Sequence, residues 1–96
     1  MANNDLNLLR KEIDALDAKI LELLAQRMKL VLKVGVYKKR QSIAPLDQSR
    51  WQKILKSKFS LARKLGLDKD LVKDIYERIH EAALKLESTV QKNIKL

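Results

Sequence analysis

The sequence predicts an all-α protein of three helices, the first much longer than the other two. Three observations predict it. Apolar residues recur at alternating steps of four and three through Leu9, Ile13, Leu16, Ile20 and Leu23, then at Leu30 and Val34, the seam of a helix that buries one face. Only two glycines and one proline interrupt 96 residues, a composition that favours helix. The breaks fall in two places, QSIAPLDQS at 41–49 and the corner at Gly66.

The elements follow in order. Asn3, Asn4 and Asp5 offer N-caps for helix one, whose period holds from Leu6 to about Lys39. Pro45 cannot continue a helix, and Asp47 or Ser49 can cap the next. Trp51, Leu55, Phe59 and Ala62 carry helix two to Leu65, where Gly66 suits the residue just past the end. Asp68 caps helix three, with a stripe of Val72, Tyr76, Ile79, Ala83, Leu86 and Val90. The last six residues, QKNIKL, are expected to fray. Residues 1–96 read as one domain with its core at about 6–92.

Composition excludes several classes. Without cysteine there are no disulfides or thiolate metal sites, and the single His80 cannot build a histidine metal site alone. No metal and no cofactor are expected. The N-terminal stretch MANNDLNLLRKEIDALD lacks an apolar signal core, and no run approaches a membrane span, so the expectation is a cytoplasmic protein. A net charge of +9 calls for an anionic partner. Nucleic acid fits poorly, because the cations are spread over all three helices. Only one Phe, one Trp and two Tyr are present for base stacking.

Length bears on assembly. About 34 helical residues span roughly 50 Å, whereas a compact chain of this size has a radius of gyration near ~12–13 Å. Two shorter helices cannot cover such a seam, so helix one is expected to pair with a copy of itself.

Charges then stand where apolar residues belong. Arg27 occupies a seam position, and Lys38, eleven residues on, returns to within about 20° of it and roughly 16 Å along the axis. Two long cationic side chains leaning together can bracket a small anion. Arg10 lies about 100° round the helix from Arg27 and would serve the partner's pocket rather than its own. Arg50 sits in the first turn of helix two. Glu87 lies within about 20–40° of Tyr76 and Ala83, on the edge of the apolar stripe. Partial desolvation there favours the protonated carboxyl, a candidate proton donor. Several cations and one acid describe a pocket for a small dianion.

Each signal has a plainer reading. Arg27 can set register or snorkel to water, Lys38 can be a solvated helix end, and Arg10 can pair with Asp14 on the surface. Glu87 can be an exposed helix residue, and His80 and Trp51 simple packing residues. Gly35 costs the helix about 1 kcal/mol against alanine, and marks either a close backbone approach or nothing.

Taken together, LLRKEIDALDAKILELLAQRMKLVLKVGVYKK, then APLDQSR, then a third helix carrying a late acid resembles the all-helical chorismate mutase family over roughly residues 6–92. The resemblance implies an intertwined homodimer of three-helix chains that converts chorismate to prephenate without cofactor or metal. It also implies roles. Arg10 would cross from the partner subunit to one carboxylate of chorismate, and Arg27 would hold the other. Lys38 would contact a carboxylate and the ether oxygen, and Glu87, at a Gln-or-Glu position of the family, would hydrogen-bond the ether oxygen. Asp47 would contact the substrate from the start of helix two, with Arg50 lining the pocket. Two positions depart from the pattern. Trp51 stands where a substrate-binding Glu is frequent, and Ala83 replaces a small hydroxyl residue; both could form pocket wall. The related isochorismate-pyruvate lyases also lack that Glu, so salicylate and pyruvate formation is the alternative. An inactive regulatory homologue, or a basic nucleic-acid-binding module, ranks below it.

Overall fold

A computed structural model of the chain describes residues 2–93. It contains three helices, α1 (Ala2–Arg40), α2 (Gln48–Leu65) and α3 (Lys69–Asn93). By its internal packing the chain divides into Met1–Leu30 and Val31–Leu96.

Within the first unit the described residues form the N-terminal three-quarters of α1. The helix starts at Ala2, earlier than the expected Leu6, so Asn4 and Asp5 lie inside it rather than ahead of it. Asp5 falls in the first turn, where the positive end of the helix dipole favours a carboxylate. The apolar seam here is open. Leu9, Ile13, Leu16, Ile20, Leu23 and Leu30 are each 56–62% exposed.

The second unit holds the end of α1, the connecting loop, α2 and α3. Helix α1 stops in a Schellman-type turn: Ile43 N–H donates to Lys38 O at 2.7 Å and Ser42 N–H to Lys39 O at 3.2 Å. The residue that turns left-handed is Ser42, φ 55°, a non-glycine in a conformation glycine favours. The stop thus precedes Pro45, to which the sequence reading attributed it. Asp47 caps α2 as expected, its Oδ1 accepting from Arg50 N–H at 3.0 Å. Helix α2 ends at Gly66, φ 71°, with Leu67 N–H donating to Ala62 O at 2.9 Å. Asp68 caps α3 through Oδ2, which accepts from Leu71 N–H at 3.0 Å.

Helices α2 and α3 pack along the expected stripe, with Ala62, Val72, Ala83 and Val90 buried and Tyr76, Ile79 and Leu86 half-buried. Two cations cover aromatic rings at its edge, Lys58 over Tyr76 and Lys69 over Phe59. The expected fraying of 91–96 fails for Gln91, a tied residue within α3, because its side chain donates to Ile43 O at 2.8 Å and its carbonyl accepts from Lys39 Nζ. Residues 94–96 lie outside the described residues.

Candidate active site

Glu87 is the buried charge of the second unit. Its helical phase places it beside Ala83 and Val90 on the packed face of α3, and it is itself 6% exposed. Burying a carboxylate costs heavily unless a cation or donors meet it. Lys38, near the end of α1, supplies the cation: its Nζ lies 2.8 Å from Glu87 Oε1, with side-chain exposures of 17% and 8%. That distance is the distance of a charge-assisted contact, and among the described residues no other group meets Oε1. Lys38 Nζ also donates to Pro45 O at 2.7 Å. An ammonium has three donors; one anchors to the loop and a second faces Oε1.

The close approach of α1 to α3 at this point depends on Gly35. A Cβ there would sit 3.3 Å from Glu87 Cα, 3.4 Å from Glu87 Cγ and 3.5 Å from Val90 Cβ. Of the two readings left open for this glycine, the structure has the close approach.

The other expected residues are placed as follows. Asp47 is exposed and one of its oxygens is committed to the α2 cap, and the Arg50 side chain is exposed in the first turn of α2. Trp51 is half-buried and stacks on His80, ring centroids 4.0 Å apart and planes 9° from parallel. Ala83 is buried one turn before Glu87. In the first unit Arg10 is exposed and, among the described residues, forms no ion pair, so the surface pair with Asp14 is absent. Arg27 is half-buried, and its Nη1 is out of solvent without a hydrogen-bond partner. Unpaired buried donors are rare in folded proteins.

The sequence reading did not foresee the carbonyl of Pro45 or the side chain of Gln91. Both contacts join residues distant in the chain, and no local pattern signals such contacts. A depression of about 320 Å³ is lined by Lys39, Ser42, Ile43, Ala44 and Gln91, none of them an expected site residue. Among the described residues no group of three or more His, Asp or Glu side chains could hold a metal ion, and no helix is long and apolar enough to cross a membrane.

The family model for type II chorismate mutases matches residues 9–88, a span that contains Arg10, Arg27, Lys38, Asp47, Arg50 and Glu87. The chain belongs to the type II chorismate mutase family. The resemblance inferred from LRKEIDALD, the Arg27–Lys38 spacing and DQSR is therefore correct, and the family activity is an isomerisation. The chorismate mutase match is supported by individual relatives. The chain is 36% identical over 75 residues to a T-protein of Enterobacter agglomerans, covering 78% of this chain and 20% of that protein. It is 32% identical over 91 residues to a bifunctional chorismate mutase/prephenate dehydratase of Buchnera aphidicola, covering 95% and 24%. A 4-amino-4-deoxychorismate mutase of Streptomyces venezuelae is 28% identical over 87 residues, covering 91% and 84%. The chain thus spans about a quarter or less of the first two relatives.

Proposed function

We propose that this chain is a cytoplasmic, homodimeric chorismate mutase that rearranges chorismate to prephenate. The observation that carries the reading is the buried Lys38–Glu87 pair, with Nζ 2.8 Å from Oε1, inside the span that the family model matches. The rearrangement is intramolecular: the ether C–O bond breaks as a new C–C bond forms, so no group leaves and no covalent adduct with the protein is needed. Catalysis then consists of holding the reactive conformer and of fixed donors where negative charge grows on the ether oxygen. Lys38 is the donor at that oxygen, and Glu87 stands beside it and orients the ammonium. Arg27, whose Nη1 lacks an acceptor, takes one substrate carboxylate. Arg10 of the partner subunit takes the other. Asp47 and Arg50 line the pocket at the start of α2, with Trp51 and Ala83 as wall. The open leucine seam of residues 9–30 supports the homodimer, since apolar positions at helical spacing more than half exposed in one chain fit burial against a copy.

Trp51 keeps a second reading in view, because it cannot accept a hydrogen bond from a substrate hydroxyl; that reading is isochorismate cleavage to salicylate and pyruvate. The test offers chorismate, isochorismate and 4-amino-4-deoxychorismate separately to the purified chain and identifies products by mass. Prephenate from chorismate is the expected result. Salicylate with pyruvate from isochorismate, and no prephenate, would transfer the chain to the lyase reading. No turnover of any of the three would overturn both.

A further inference from the structure

We infer that Gly35 is a positioning residue for Glu87, an inference that rests on the proposed mutase function. The missing side chain at Gly35 faces the Glu87 backbone and the root of its side chain, at 3.3 Å to Cα and 3.4 Å to Cγ, and touches Val90 Cβ at 3.5 Å. Lys38 lies three residues further along the same helix, so Gly35 and Lys38 meet Glu87 from one element. The separation of the two backbones at Gly35 therefore sets how far the Glu87 carboxyl reaches toward Lys38 Nζ and toward any atom bound between them. The backbone conformation of Gly35 does not require glycine: its φ is negative, as expected in mid-helix, unlike that of Gly66. Alanine is the better helix former at such a position. The glycine thus runs against local helix propensity, and the close approach to Glu87 is the feature it permits.

The added methyl of Gly35→Ala meets backbone at Glu87 Cα, so α3 must give by a few tenths of an ångström. Misplacement by a whole ångström costs about 10²-fold in rate, so a shift of this size should lower kcat by roughly threefold to tenfold. KM should stay within about twofold, because binding of the substrate carboxylates falls to the arginines. A purely structural role would not separate kcat from KM in this way.

The experiment measures kcat and KM for wild type, Gly35→Ala, Glu87→Ala and the double variant, with a crystal structure of Gly35→Ala. The expected results are a lowered kcat for Gly35→Ala in the wild-type background, little further loss when Glu87 is already alanine, and a Lys38–Glu87 separation longer than 2.8 Å. An unchanged kcat and separation would overturn the inference, as would an equal loss in both backgrounds. A Gly35→Ala chain that does not fold would also overturn it, by making the glycine a requirement of the whole helix pair. If wild type rearranges no chorismate, the mutase reading fails by itself, and the crystallographic separation still decides whether Gly35 sets the geometry of Glu87.

Discussion

Lys38 Nζ stands 2.8 Å from Glu87 Oε1 while donating to the carbonyl of Pro45 at 2.7 Å. The ammonium therefore ties the end of α1 to the loop that follows it and faces the carboxylate on α3. A buried ion pair is a poor source of stability, since apolar residues of similar volume do as well or better. The pair is therefore weak evidence for a stabilising role. Lys38 thus meets two acceptors of the protein and has one of its three donors left over.

The side chain of Glu87 is the first thing to test. Glu87→Gln keeps the length of the side chain and places an amide donor beside Lys38, so it should retain activity. Glu87→Ala should lose about 10²-fold or more in kcat, the scale of one missing oxyanion donor. A Glu87→Ala variant as active as wild type, with folding checked by circular dichroism, would remove Glu87 from the mechanism.

The leucine seam sets the second expectation. Sedimentation or light scattering at micromolar concentration should give about twice the chain mass of 11.1 kDa. Replacing Leu16 and Ile20 together by Glu should abolish the dimer and much of the helix signal, because an isolated helix with an open apolar face is marginal in water. A stable, active monomer would sink the shared-site reading.

A crossed arginine makes a distinctive pattern of complementation. Arg10→Ala and Arg27→Ala homodimers should each be nearly inactive. A mixed dimer gathers both lesions in one pocket and leaves the other whole, so co-refolding the two variants should restore activity. Mixed dimers that form and stay dead would put both arginines in one chain's site.

Two left-handed residues allow a stability test away from the site. Ser42→Gly removes the strain of a side chain at φ 55°, and should raise stability by about 0.5–1 kcal/mol after the extra chain entropy of glycine is subtracted. Gly66→Ala should cost about 1 kcal/mol. A Cβ at Gly66 meets nothing within 4 Å, so that cost is torsional alone. Thermal unfolding at one fixed protein concentration reads both, with shifts of several degrees in opposite directions. A shift of the same sign in the two variants would contradict the turn assignment.

The three helices, the caps at Asp47, Gly66 and Asp68, and the family were legible in the order of residues alone. The reason is that these features are local. Periodicity at Leu9–Val34 and Val72–Val90 needs only a turn or two of chain to be read, and Asp47, Gly66 and Asp68 act on backbone within three or four residues. The charged positions Arg27, Lys38 and Glu87 stood out because they interrupt or border a stripe that is otherwise apolar. The tertiary structure decided what local pattern cannot carry. It joined Lys38 to Glu87 and Pro45, tied Gln91 to Ile43 where fraying was expected, and stacked Trp51 on His80. It also decided between two meanings of Gly35, because a missing side chain has no reading until the backbone that fills its place is known, and here that backbone is Glu87.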